Sequence, residues 1–386
     1  MDYFYTKRKL SILKDYEQFL TEELKKPITE RAGTLDKEHL VILQELIRNM
    51  KIRSRYTEEQ SNNLFVNSYP KPIATQFELT SRCNQACIQC YNQSGLKKNI
   101  TNNDMDISDW IEIAKELASI KIPQIIISGG EPTLLGDDLF RIMDIFHEVG
   151  THFVLITNGS NITAQNIDKF AKYNYAWFQL SIDGASSATH EFVRGAKGSF
   201  DKVINAALLA RSRGIPIGIA STIVRPNLHE VDALIDLAYN LGAFKITIGE
   251  FMYAGRAITN KDEIALADKD IRHIRNVIIR KRSQYGRLIN IIKPADPALA
   301  LRYRMSSPAT GLLIRPNGEV RIDCQAPARV GNVKKSNIFN IWNNVGYKGW
   351  SHPELLDYIE KIYTYKDLNN IYPRTHVDID LNLSQE

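Results

Sequence analysis

The sequence predicts an α/β protein built on a parallel sheet, and three observations carry that prediction. Six short β-rich runs alternate with helix-length amphipathic segments between about residue 72 and residue 250. Polar and glycine-containing punctuation follows the runs at their C-terminal ends, where parallel sheets carry their sites. A chain of 386 residues, 44% hydrophobic and 24% charged, is long enough for one large domain or two or three smaller ones.

Residues 1–70 read as a helical segment. Leu10, Leu13, Tyr16, Leu20 and Leu24 recur at helical spacing before Pro27, and Leu40, Leu43, Ile47 and Met50 do so after Thr34, the expected N-cap. Two amphipathic helices need a surface to pack on, so a helical lid is the simpler reading and a docking module for a macromolecular substrate the sharper one. Residues 71–258 hold the runs TQFELT, QIIIS, FVLIT, WFQLSI, IGIASTIV and KITIGE. The segments between them, such as FDKVINAALLARSRG, suit crossover helices, which implies right-handed βαβ units and a sheet either curled into a barrel or open. Residues 259–305 are charged and helix-like, a connector. Residues 306–350 form a small module in which GLLIRPNGEVRIDC reads as a hairpin turning at Pro316-Asn317-Gly318. Residues 351–386 read as a helix and a tail.

Forty-nine basic against forty-four acidic residues give a net charge of +5 without a basic arm, so nucleic-acid binding is not indicated. The N-terminus lacks the apolar run of a signal peptide, and nowhere do eighteen apolar residues follow one another. The expected location is therefore cytoplasmic, without a membrane partner. In a reducing compartment, close-set cysteines point to metal or redox chemistry rather than to disulfides.

The stretch TSRCNQACIQCYNQSG holds Cys83, Cys87 and Cys90, and the fourth cysteine, Cys324, lies far away. Three thiolates leave a structural zinc site one ligand short. They also leave one iron of a [4Fe–4S] cluster open, and an open iron can bind a substrate or cofactor. The eight histidines show no metal-ligand spacing and none is assigned a role.

The C-x3-C-x2-C loop, the aromatic Tyr91 after it and the downstream SGGEP resemble the radical S-adenosylmethionine (SAM) enzymes. The resemblance spans roughly residues 72–260, with a weaker match at 306–345. It implies a partial (β/α)6 TIM-like barrel of the radical SAM type. It implies that Cys83, Cys87 and Cys90 hold one [4Fe–4S] cluster whose fourth iron chelates SAM. Gly129, Gly130 and Glu131 are then expected beside the SAM amino group, Ser181 and Asp183 near the ribose, and Thr157 and Asn158 in the same cavity. Arg194 and Arg256 are the candidates for the SAM carboxylate, since guanidinium suits carboxylates. Taken alone, SGGEP is only a strand-to-helix turn, Ser181 and Asp183 end a strand, and an arginine is usually a surface charge. The implied chemistry belongs to the cofactor: a 5′-deoxyadenosyl radical that abstracts hydrogen. An external one-electron reductant such as flavodoxin or ferredoxin is expected.

The segment from Gly311 to Trp342 resembles the SPASM or twitch extension of radical SAM enzymes that modify peptides, in degenerate form. Thr310 stands where a cysteine is often found, so one thiolate, Cys324, remains and an auxiliary cluster is not supported. Three roles compete for Cys324: apolar filler, relic ligand, or hydrogen-atom donor, the last being how some radical SAM peptide epimerases use a single cysteine. The leading expectation is an epimerase acting on a ribosomally made peptide, whose leader region the N-terminal helices help to seat. Carbon–carbon or thioether crosslinking of a peptide, modification of a small molecule or RNA, and a non-catalytic metal scaffold are the alternatives.

Overall fold

The computed structural model describes residues 2–27, 30–31, 37–55, 69–95, 103–294, 296–364, 367–368 and 379–381. The expected cap Thr34 lies outside them, as does most of the tail. Strands β1 (Ala74–Glu78), β2 (Gln124–Ser128), β3 (His152–Thr157), β4 (Tyr175–Ser181), β5 (Ile217–Ile223), β6 (Lys245–Glu250) and β7 (Asn290–Ile292) pair in chain order, all parallel. The six predicted runs are therefore strands: QIIIS and KITIGE coincide with β2 and β6, and the other four differ at one or both ends by a residue or two.

Alternation within the strands explains the layering. In β4, Phe178 and Leu180 are fully buried, whereas Gln179 and Ser181 line a cavity on the other face. Phe77 of β1 packs outward, its ring 4.9 Å from Trp110 and 5.9 Å from Phe146, both on crossover helices. The inner face is polar instead: Gln76, Ser128, Gln179, Ser181 and Thr222 border one cavity together with Ile156 and Ala220. Five flat strands would span about 19 Å. Side chains from β1 to β5 meet around a single cavity, so the sheet is curled. β7 and β1 do not pair, and the curl stays open.

The C-terminal region departs from the sequence reading in three ways. First, β7 lies inside the segment expected to be a helical connector: Asn290–Ile292 pairs with Lys245–Thr247. Three residues between a charged helix and Lys293-Pro294 carry no period that could announce a strand. Second, β8 (Gly311–Ile314) pairs in parallel with Ala74–Phe77 of β1. The predicted hairpin with β9 (Glu319–Arg321) is present, and through β8 it joins the edge of the barrel sheet. Third, β10 (Ala328–Asn332) and the two-residue β11 (Ile379–Asp380) continue the same sheet, so part of the expected tail is a strand.

The N-terminal helices α1 (Asp2–Lys25) and α2 (Lys37–Arg53) pack on each other and against the helix Pro297–Ser306. The fully buried Arg302 anchors this corner. Its guanidinium stacks 4.0 Å over the Tyr16 ring and donates to the carbonyls of Ala298 and Ile362 at 3.1 and 2.6 Å. No described helix is long and apolar enough to cross a membrane.

Candidate active site

The cysteine loop leaves β1 and is held from three sides by backbone. Gly130 N–H donates to the Thr80 carbonyl at 2.6 Å and Glu131 N–H to that of Arg82 at 2.8 Å. Ala86 and Ile88 N–H donate to the carbonyls of Arg194 and Val193 at 3.1 and 3.0 Å. Arg256 closes the third side: its N–H donates to the Cys90 carbonyl at 2.8 Å, its Nε to that of Cys87 at 2.6 Å and its Nη2 to that of Ser94 at 2.9 Å. A Cβ on Gly130 would stand 2.0 Å from the Arg82 oxygen, and one on Gly255 2.2 Å from the Tyr91 oxygen. Glycine is required where SGGEP and the turn before Arg256 press on the loop.

Cys83, Cys87 and Cys90 border a 290 Å³ cavity at the inner face of the barrel. Burial pushes the Cys87 thiol up to about 12, and burial raises Cys83 as well. The charges of the other two thiols press Cys87 further in the same direction. The Arg194 charge works the other way and lowers Cys87, and three thiolates together in this pocket call for further positive charge. Among the described residues no three His, Cys, Asp or Glu side chains converge on a single ion. Three thiols around one cavity without a common focus suit a multi-iron cluster, in which each cysteine holds a different iron. The residues present fit that group.

Glu131 lines the cavity and is buried. One carboxylate oxygen accepts from Thr133 N–H and from the Thr133 and Thr157 hydroxyls at 3.1, 2.6 and 2.7 Å. The other accepts from Asn158 N–H at 2.7 Å and has a lone pair to spare. Thr157 and Asn158 thus share the cavity with Glu131, and the Asn158 amide donates to Asn84 Oδ1 at 2.8 Å and reaches within 3.9 Å of Cys83 Sγ. Gly129 and Gly130 also line the cavity, and their close backbone neighbours are Thr80 and Arg82 of the cysteine loop.

Both oxygens of Asp183 are hydrogen-bonded within the protein. The carboxylate accepts from Gln89 Nε2 at 2.8 Å, Arg194 Nη1 at 3.0 Å and Thr222 N–H at 2.7 Å. Arg194, which also donates to Gln85 Oε1 at 2.7 Å, borders the cavity as a partner of Asp183. Ser181 borders it too, beside Gln179. Arg256, the other candidate for the SAM carboxylate, is not among the residues bordering the cavity; its guanidinium donates to the Cys87 and Ser94 carbonyls of the cysteine loop.

Sequence reasoning missed Gln76, Gln85, Gln89, Gln179 and Thr222. The available signal was parity, since Gln179 alternates with an apolar neighbour on each side and Gln76 with one on one side, and Thr222 sits two residues from Ala220 on the same face of its strand. Gln89 had its place between two cysteines, and its Oε1 is buried without a partner.

Cys324 borders a second cavity, of 890 Å³, with Gln76, Arg304, Asp323, Leu299 and Leu312 among its walls. Asp323 ion-pairs with Arg304 and caps the following turn, accepting from Gln325 N–H at 2.6 Å. The Arg304 guanidinium also hydrogen-bonds Cys324.

Residues 77–238 match the family described as the radical SAM superfamily. The PqqA peptide cyclase of Rhizobium meliloti (strain 1021) is 26% identical over 285 residues, 70% of this chain and 73% of that protein. The AdoMet-dependent heme synthase of Methanosarcina barkeri (strain Fusaro / DSM 804) is 32% identical over 199 residues, 52% of this chain and 55% of that one. Among solved structures, Streptococcus suis SuiB bound to its precursor peptide SuiA aligns with a TM-score of 0.59 at 15% identity, over 83% of this chain and 72% of that one. That alignment carries the fold.

Proposed function

We propose, from the premise that this chain carries a radical SAM domain using a [4Fe–4S] cluster and SAM, that it is an enzyme acting on a peptide, most specifically inverting a backbone stereocentre with Cys324 as hydrogen-atom donor. Cys83, Cys87 and Cys90 hold the cluster in this reading. Glu131, with Thr157 and Asn158 behind it, receives the SAM amino group, and Arg194, Asp183 and Ser181 line the remainder of its site. When bound, the cluster and SAM supply a carbon-centred radical that removes a substrate hydrogen.

One observation carries the choice of epimerisation. Gln76 borders both the cysteine-lined cavity and the cavity that Cys324 borders, so the two cavities adjoin at that side chain. In this reading a substrate carbon held near Gln76 lies between the cysteine-lined cavity and the one that Cys324 borders. Cys324 then donates a hydrogen atom to the substrate carbon radical. Its S–H bond breaks, a C–H bond forms with inverted configuration, and one electron and one proton from an external reductant restore the thiol.

Likeness to peptide cyclases favours a second reading, crosslinking. The test is product mass in heavy water: epimerisation adds one deuterium per event, whereas crosslinking removes two hydrogens. Loss of deuterium incorporation in Cys324→Ala, with SAM cleavage retained, is the expected result; incorporation that survives the substitution ends the donor assignment.

A further inference from the structure

Three cavities adjoin in series, each sharing wall residues with the next. Gln76 is shared by the cysteine-lined cavity and the 890 Å³ cavity. Gln325 and Pro294 are shared by that cavity and a third, of 180 Å³, bordered by Phe251 and Tyr253. Each joint thus carries a carboxamide, the side chain that reproduces the donor and acceptor of a peptide group.

The Gln76 carboxamide is oriented by a hydrogen bond, and Gln325 is held at its backbone. Gln76 Nε2 donates to Ser128 Oγ at 2.9 Å, which commits one of its two N–H groups and orients the carboxamide, whose oxygen can serve as an acceptor at the joint. Gln325 Oε1 is buried without a partner. Its backbone is pinned by Asp323, so the side chain starts from a fixed turn next to Cys324. A buried carbonyl oxygen with no donor is costly, and a ligand N–H removes that cost.

The rest of the large cavity selects an uncharged guest. Its ionic groups, Arg304 and Asp323, neutralise each other, and much of the remaining wall is apolar, Leu299, Leu312 and Trp350 included. Burying a further charge there would lack a partner.

We infer that an extended, uncharged peptide segment threads the joined cavities, its backbone N–H groups donating to the Gln76 and Gln325 carboxamides on either side of the residue presented to Cys324. The inference rests on the peptide-substrate reading and adds the residues that position the backbone. Gln76 and Gln325 are positioning residues, and their contribution is separable from radical chemistry.

Disulfide capture on the anaerobically reconstituted holoenzyme tests it without SAM cleavage. The probes are N-acetyl-glycyl-valyl-cysteamine, its analogue with an ester oxygen in place of the backbone N–H, and N-acetyl-glycyl-aspartyl-cysteamine. Each is offered as a mixed disulfide at fixed 2-mercaptoethanol and read by intact mass, with Cys324→Ala as the blank. The expected result is at least tenfold preference for the amide over the ester and for valine over aspartate. In Gln76→Leu and Gln325→Leu the amide-to-ester ratio falls towards one, and Gln325→Asn restores part of it. Equal capture of amide and ester by the wild type overturns the inference with no variant required. Deuterium incorporation into a peptide reports separately on the underlying reading: if it persists while wild-type capture shows no amide preference, only the backbone clamp is lost.

Discussion

The Tyr91 hydroxyl donates a 2.7 Å hydrogen bond to the buried carboxylate of Glu78. This bond ties the end of the cysteine loop to the last residue of β1, and Arg315 of the hairpin reaches the same carboxylate at 3.8 Å. One buried acid thus couples the cofactor loop to the C-terminal strands. Replacing Tyr91 with Phe leaves Glu78 short of a donor, at a cost of about 1–3 kcal/mol. Urea unfolding should show a lower midpoint, and reconstitution of Y91F should give less iron per chain than the wild type.

Replacing Cys83, Cys87 and Cys90 together with Ala should reduce iron after anaerobic reconstitution from about four per chain to almost none. About four irons surviving in that variant would reveal a second cluster and shift the reading towards crosslinking.

Gly130 admits no side chain. A methyl group there meets the Arg82 carbonyl, which is backbone and cannot swing aside. Gly130→Ala should lower stability by about 1–3 kcal/mol through overpacking and should impair cluster retention. Iron content and circular dichroism, read on the same sample, separate a displaced loop from a misfolded chain.

Arg256→Met removes donors from the Cys87 and Ser94 carbonyls, bonds from a charged group worth roughly 1.5–3 kcal/mol each. The expected phenotype is faster cluster loss on dilution. An unchanged SAM dissociation constant in the fraction that keeps its cluster would agree with a bracing role; a large loss of affinity would return Arg256 to the SAM site.

His190 gives the fold an acid limit. Burial, reinforced by the Arg194 charge and opposed by Asp183 and Glu230, lowers its pKa from 6.5 to about 4. Nδ1 accepts from Asp183 N–H at 3.2 Å, a bond that requires the neutral ring. The folded pKa lies below the unfolded one, so the contribution is complete above pH 6.5 and is lost as the pH falls towards 4. Its size is on the order of 3 kcal/mol. Denaturation of wild type and His190→Gln at pH 7.5, 5.5 and 4.5 should show a smaller acid loss in the variant.

The sequence by itself determined the parallel βα core and the cofactor loop. Both are local signals: an apolar run has a period, Cys-x3-Cys-x2-Cys is a spacing, and SGGEP follows its strand directly. Glu131, Thr157 and Asn158 are named through the resemblance that SGGEP and the cysteine loop carry, and parallel pairing explains their meeting, since it brings the ends of β2 and β3 and the turns after them to one rim. Tertiary structure alone decided the rest. Asn290–Ile292 is a strand only because Lys245–Thr247 offers it an edge, and the hairpin is part of the barrel only because Gly311 lies against Ala74. Arg194 and Arg256 looked alike in the sequence, yet one lines the cavity and the other braces the loop behind it. Which cavity Gln76 faces, and that Cys324 lies beyond it, depends on sheet curvature and on contacts between residues some 250 positions apart. Local periodicity holds no information on such distances, because they are set by which faces pack once the chain has closed on itself.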